Sequence, residues 1–257
     1  MMLKNENEIV FIDSDRHLGD IIPFIIILNS RSINNGWKTD IMCGPSWLDE
    51  FFEIFDFKGL NLISTQAGSD FWHLDAATYS ILTNAFNFPE WAETPYLKQM
   101  IYFKKINRYA NRDFTITLPE HKIKKEKSRT VLFQFDARST DDRKKQLTQE
   151  EMNFYIKKHN PKGAEVFGIG GSETGKYLNY DFKLGNLRFI SEQMISCEKF
   201  IGSDSGMSIL AGTLGVRGDV IITDIDHIKE LTNFYNVMYP SLNVHFHGNV
   251  ERSITLL

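Results

Sequence analysis

The sequence predicts an α/β protein of two similar halves, each a parallel sheet covered by helices. Three observations lead there. Short apolar runs of β-branched and aromatic residues alternate with longer segments whose apolar residues recur at helical spacing. The alternation is interrupted by a charged stretch, EHKIKKEKSR (Glu120–Arg129), and restarts beyond it. That stretch divides the 257 residues into halves 1–122 and 123–257, each of ordinary domain size.

Taken in order, EIVFID (Glu8–Asp13) reads as a first buried strand. HLGDIIPFIIILNSRSINNG follows as a helix with Gly36 as its stop signal. WKTDIMCG is a second strand, and PSWLDEFFEIFDF a helix with Pro45 near its start. GLNLIST is a third strand. Residues 70–112 are aromatic-rich and helical in pattern, broken near Pro89 and Pro95, and DFTITLP is a further strand candidate. The charged stretch Glu120–Arg129 reads as an exposed linker, with a phosphate-gripping basic patch as the alternative.

In the second half, TVLFQFD is a strand. In LTQEEMNFYIKKHN, Thr148 and Glu151 have capping-box spacing at the head of a helix. AEVFGIG is a strand, LRFI a weaker one, SEQMISC a short helix and EKFIGS a strand. DSGMSILAGTLG is a helix that stops at Gly215; DVIITD is a strand and IDHIKELTNFYNVM a helix.

Composition narrows the function. At 42% hydrophobic and 24% charged the chain reads as soluble and globular. A net charge of -4 excludes a globally basic surface that would draw nucleic acid or anionic lipid. Cys43 and Cys197 make neither a disulfide framework nor a metal cluster, and read as buried thiols in a reducing compartment. The longest apolar run, Ile21–Leu28, is too short to span a bilayer, and the N-terminus has no signal-peptide pattern, so a cytoplasmic location is expected.

Four stretches carry candidate chemistry. GIGGSETGKY, Gly168–Tyr177, has the G-x-x-x-x-G-K spacing of a P-loop from Gly170 to Lys176. Tyr177 stands where a Ser or Thr hydroxyl should meet Mg²⁺, so the turn reads as an ordinary strand-to-helix connection. The acids of Asp13–Asp15 have a spacing that can hold a divalent cation, but they follow the very first strand, and no metal is expected. DRHLGDII places Asp20 in a first helical turn at the carboxyl end of strand one, where open α/β sheets put their ligands. There a carboxylate either acts as a general base or complements the helix dipole. Gly19 permits close approach of a ligand, and Arg16 and His17 either hold a phosphate or are plain surface. Finally, Ser203, Asp204, Ser205 and Gly206 crowd one turn between a buried strand and a helix of small residues. Backbone N–H groups at such a helix start bind phosphate oxygens, while Asp204 also suits an N-cap.

LGDII after the first strand, together with FIGSDSGMSILAGTLGV, resembles glycosyltransferase family 9, the ADP-heptose:lipopolysaccharide heptosyltransferases. The resemblance implies a GT-B fold, two Rossmann-like domains facing across a cleft. The first would take the acceptor and the second the nucleotide-sugar donor. It implies inverting, metal-independent transfer to an acceptor hydroxyl, with no cofactor beyond the donor as co-substrate. Asp20 becomes the general base, and Asp204, Ser205 and Gly206, with Ser203 beside them, hold the donor diphosphate. Ser139, Thr140, Arg143 and Lys144 of DARSTDDRKKQ are further donor-phosphate candidates. Gly170 and Gly171 become a wall of the donor site, where Glu173 either reaches the nucleotide or faces water. The acceptor side takes Arg16, His17, Gly19, Trp72 and His73, with Tyr79 near. Trp72, His73 and Tyr79 either stack on a ligand or pack a helix. Where the family has His, this chain has Ile209, which leaves the donor open.

The family's acceptor is a glycan or lipopolysaccharide core. The basic stretches Lys104–Arg112 and Lys122–Arg129 keep a hydroxylated DNA base as a second acceptor. A non-catalytic nucleotide-sugar or carbohydrate-binding protein and a P-loop NTPase are the remaining rivals.

Overall fold

The apolar run that opens the chain forms strand β1 (Glu8–Phe11). It begins a parallel sheet in a computed structural model that describes residues 8–11, 18–36, 38–42, 47–64, 116–135, 147–160, 163–169, 186–223 and 228–247. The chain divides into two compact units, Met1–Lys122 and Ile123–Leu257.

In the first unit, β1 pairs with β2 (Thr39–Met42), which pairs with β4 (Leu60–Ser64), all parallel. Helix α1 (Leu18–Asn35) follows β1. Its Ile21, Ile22, Ile25, Ile26 and Leu28 are fully or nearly fully buried. Each such side chain stabilises the fold by about 1.5–3 kcal/mol relative to exposure. Pro23 lies inside α1 and has no N–H, so the Gly19 carbonyl lacks its usual donor four residues on. The helix ends at Gly36, whose φ of 70° suits glycine.

Buried polar groups tie α1 to the sheet. Gly59 N donates to Asn29 Oδ1 at 2.9 Å, and the Ser32 and Thr39 hydroxyls meet at 2.8 Å.

Three expectations fail among the described residues of this unit. The second helix, α2 (Trp47–Ile54), stops short of FDF. Phe55–Asp56 instead forms strand β3, antiparallel to β5 (Glu120–His121), so the charged stretch opens as a strand. Lys124–Lys127 beyond it are exposed as expected, but Ile123 is buried. Residues 116–119 form no strand. The Thr117 N–H bonds the Ser30 hydroxyl at 2.9 Å, which takes it out of any ladder.

The second unit is a five-stranded parallel sheet. Its strands are β6 (Thr130–Gln134), β7 (Glu165–Gly168), β8 (Lys199–Ser203), β9 (Gly218–Ile222) and β10 (Leu242–Phe246). Their spatial order is β10-β9-β8-β6-β7. Helix α3 (Gln149–His159) carries the expected capping box, with Glu151 N on Thr148 Oγ1 at 3.3 Å and Thr148 N on Glu151 Oε2 at 2.6 Å. Thr148→Ala is expected to cost about 1 kcal/mol, read from the unfolding midpoint in denaturant. Met152 and Tyr155 of α3 pack on Val131, Phe133, Ile201 and Ile221 of the sheet.

LRFI is not a strand. It begins helix α4 (Leu187–Ser196), which absorbs SEQMIS. The Asn186 side chain caps it by accepting from Phe189 N at 2.8 Å, and Leu187, Ile190 and Met194 are buried at helical spacing. Cys197 follows, and burial pushes its thiol up to about 12. Helix α5 (Gly206–Thr213) runs to Gly215 at φ 67°, and α6 (Ile228–Met238) packs on β10, a strand with no counterpart in the expected elements.

Candidate functional site

The strand order locates the site in the second unit. From β6 the chain moves outward to β7, then crosses back to lay β8 on the other side of β6. In open parallel sheets such a reversal opens a crevice at the carboxyl ends of the two diverging strands. Here those ends are Gln134 on β6 and Ser203 on β8, where the chain turns through Asp204 and Ser205 into α5. The sequence-selected turn Ser203–Gly206 therefore stands at the switch point of its sheet.

The turn is held from three sides. From β6, Gln134, almost fully buried, accepts a hydrogen bond from Ser205 Oγ at 2.8 Å. From α6, the buried Tyr235 hydroxyl donates to Asp204 Oδ1 at 2.7 Å. From within α5, Ser208 Oγ donates to the Ser203 carbonyl at 2.6 Å.

These bonds reassign the cap. The N-cap is Ser205, one residue beyond Asp204, and its side chain makes no capping bond because it is turned to Gln134. The first-turn N–H groups of any helix lie outside its own ladder. Here they stand at the crevice without a serine hydroxyl across them. Ser203 Oγ is buried with no hydrogen-bond partner among the described residues. The first-turn N–H groups make this helix start suited to phosphate oxygens.

Ile209 is fully buried, so the position that the family gives to His belongs here to the core. The sequence pattern does not single out Gln134 or Tyr235. Gln134 leaves one signal, a lone amide ending an otherwise apolar strand. Tyr235 leaves none, since it reads as a core residue of its helix. Tyr235→Phe is expected to cost about 1–3 kcal/mol, since Asp204 loses one donor inside the fold. Thermal unfolding of the purified variant measures it.

In the first unit, α1 places Asp20 in its first turn and buries Gly19. The structure gives the backbone of Asp20 only. Arg16, His17, Trp72, His73 and Tyr79 lie outside the described residues, as do Ser139, Thr140, Arg143, Lys144, Gly170, Gly171, Glu173, Lys176 and Tyr177. The strand ahead of the GIGGSETGKY turn, β7, is an edge strand, one strand away from the switch point.

No protein-family model matches the chain, and neither does any curated protein sequence. Solved structures do. The family 9 glycosyltransferase from Veillonella parvula DSM 2008 aligns over 99% of this chain and 90% of its own, at 12% identity and a TM-score of 0.63. The chain has a GT-B glycosyltransferase fold. The E. coli heptosyltransferase WaaC, solved with ADP, aligns over 93% of both chains at 10% identity and a TM-score of 0.58. E. coli ADP-heptose lipopolysaccharide heptosyltransferase II aligns over 93% of this chain and 90% of its own, with the same identity, 10%, and TM-score, 0.58. These alignments extend over almost the whole chain at low sequence identity. No helix among the described residues is long and apolar enough to cross a membrane.

Proposed function

We propose that the chain is a glycosyltransferase that moves a sugar from a nucleotide-sugar to an acceptor hydroxyl, with inversion and without a metal at the reacting centre. The observation that carries the reading is the Ser203–Gly206 turn, at the switch point of a sheet in a glycosyltransferase fold. A structural neighbour, WaaC, was solved with ADP, a nucleoside diphosphate of the class that such a turn suits.

The donor diphosphate sits against the start of α5. About half a positive charge resides at a helix N-terminus, and oriented N–H groups stabilise the charge that develops as the diphosphate leaves. Ser203, Ser205 and Gly206 form the turn that brings these N–H groups to the diphosphate, while the Ser205 hydroxyl proton is given to Gln134. Gln134 and Tyr235 are positioning residues: the first sets the Ser205 rotamer, the second fixes Asp204. Ser139, Thr140, Arg143 and Lys144, which follow β6, and Gly170, Gly171 and Glu173, which follow β7, complete the donor side.

On the acceptor side, Asp20 removes the proton from the attacking hydroxyl, which displaces the diphosphate with inversion at the sugar carbon. Arg16, His17, Gly19, Trp72 and His73 bind the acceptor. A glycan of the lipopolysaccharide-core class is that acceptor, and the cytoplasm supplies the donor.

The test is a transfer assay with radiolabelled ADP-, UDP- and GDP-sugars. Lipopolysaccharide-core oligosaccharide and duplex DNA containing 5-hydroxymethylcytosine serve as separate acceptors. Labelled oligosaccharide of inverted anomeric configuration, formed in excess chelator, is the expected product. Labelled DNA alone would replace the acceptor assignment. Donor binding without turnover on any acceptor would favour a binding protein, and ATP hydrolysis lost in Lys176→Ala would establish an NTPase instead.

A further inference from the structure

A second cluster of chemistry-bearing side chains lies on the α3 face of the same sheet. It centres on Asp219, the second residue of β9, whose side chain is 2% exposed. The registers bring its neighbours together. Asn243 of β10 lies beside Asp219, and His245 follows two residues on, on the same face. Lys199 of β8 is two residues before Ile201, the partner of Asp219. His159 is the last residue of α3.

Four side chains meet the Asp219 carboxylate. His159 Nδ1 is 2.7 Å from Oδ2, and Lys199 Nζ contacts the same oxygen. His245 Nε2 is 3.0 Å from Oδ1, and Asn243 Nδ2 donates to Oδ1 at 3.2 Å. The His245 ring meets the His159 ring edge-on at 5.2 Å. His159 Nε2 is buried with no hydrogen-bond partner among the described residues, so its ring offers Nδ1 to this cluster. Burial works to raise the Asp219 carboxyl, but hydrogen bonds from His159, His245 and Lys199 outweigh it and hold the group well below the usual carboxylate range.

We propose that His159, Asp219 and His245 form a site for a divalent transition metal of the zinc, cobalt or nickel class. One ligand atom from each lies within 4.8 Å of the others. Two imidazoles and one carboxylate are the donor set these ions take, at about 2.0–2.2 Å. Asn243, bonded to the same carboxylate, orients it as outer-shell groups do in metal sites. The His245 side chain is 34% exposed, which leaves an entry path and a face for water as a further ligand.

Lys199 is the competing cation. Its side chain is one-quarter exposed and reaches Asp219 from the amino end of the neighbouring strand β8, so it swings to solvent when a metal enters. In the metal-free chain the ammonium neutralises the buried carboxylate and the fold is kept. The metal would staple the end of α3 to β9 and to the outer strand β10. This cluster is formed by Lys199 and Asp219 near the amino ends of β8 and β9, whereas the Ser203–Gly206 turn follows the carboxyl end of β8. The metal site therefore stands whether or not the chain transfers sugar.

The test is titration of the chelator-stripped full chain with Zn²⁺ by calorimetry and with Co²⁺ by visible absorption, near neutral pH. One equivalent is expected to bind, with Co²⁺ bands characteristic of a low-coordinate N/O site. His245→Ala should weaken binding about 10- to 100-fold or more. Lys199→Met should tighten it on the order of tenfold, the worth of one charge-assisted bond no longer in competition. His245 is partly exposed on an outer strand, so its alanine variant tests the site even where Asp219→Asn fails to fold. Absence of binding in both the wild type and Lys199→Met would overturn the proposal. So would binding that His245→Ala leaves unchanged.

Discussion

Replacing Asp20 with asparagine is expected to lower sugar transfer by about 10²- to 10⁴-fold, the usual worth of a positioned general base. The amide is nearly isosteric but cannot take a proton from the acceptor hydroxyl. Asp20 lies in the first turn of α1, just beyond the carboxyl end of β1. The helix around it depends on Ile21, Ile22, Ile25 and Ile26, which the variant leaves in place. The unfolding midpoint should therefore stay within a degree or two, and donor affinity should be unchanged, because the proposed donor site lies on the other unit. Single-turnover rates and donor Kd measured on the same preparation separate these effects. Full activity in Asp20→Asn would remove this residue from the chemistry and leave it a helix-dipole partner.

Gly202→Ala should damage both stability and the donor site. The residue lies in β8 on the face that packs against α5, one position before Ser203. A Cβ there would stand 2.7 Å from the Phe200 ring and 2.8 Å from Ser208 Oγ. Both neighbours are fully buried, so neither has room to yield. Ser208 Oγ is moreover committed to the Ser203 carbonyl at 2.6 Å. The added methyl must push the first turn of α5 away from β8. Overpacking of this kind costs about 1–3 kcal/mol, and the same displacement moves the groups proposed to bind phosphate. Gly36→Ala is the control. Its Cβ meets nothing within 4 Å, so only the strain of φ 70° is felt and donor affinity should not change. If Gly202→Ala keeps wild-type donor affinity, the start of α5 is not where the diphosphate binds.

Much of this architecture is legible in the sequence because local and global signals agree. Apolar strand runs, the Thr148–Glu151 box and the stops at Gly36 and Gly215 are all set within a few residues of chain. The failures come where tertiary context decides. LRFI has strand-like composition, yet Asn186 caps it and the apolar spacing continues through Met194, so it winds into α4. Phe55–Asp56 is a strand only because Glu120–His121 returns to pair with it. β10 alternates polar and apolar residues over five positions and sits at the sheet edge, half-exposed, which makes its signal weak.

The site divides in the same way. Ser203–Gly206 is visible as a crowd of small polar residues between strand and helix. Gln134 and Tyr235 reach it only through the strand order and the packing of α6, from 71 and 31 residues away. The His159–Asp219–His245 cluster has no local motif at all, since its three members come from a helix end and two adjacent strands.

The central claim is that a nucleoside diphosphate-sugar binds at the start of α5. Its most direct test is thermal unfolding of the wild type and of Gly202→Ala against a panel of ADP-, UDP- and GDP-sugars. The account predicts that one nucleotide class stabilises the wild type, by about 2.7 kcal/mol at a hundred times its Kd. Gly202→Ala should lose most of that increment. A panel in which no nucleotide-sugar stabilises the wild type, or in which both proteins are stabilised equally, would contradict it.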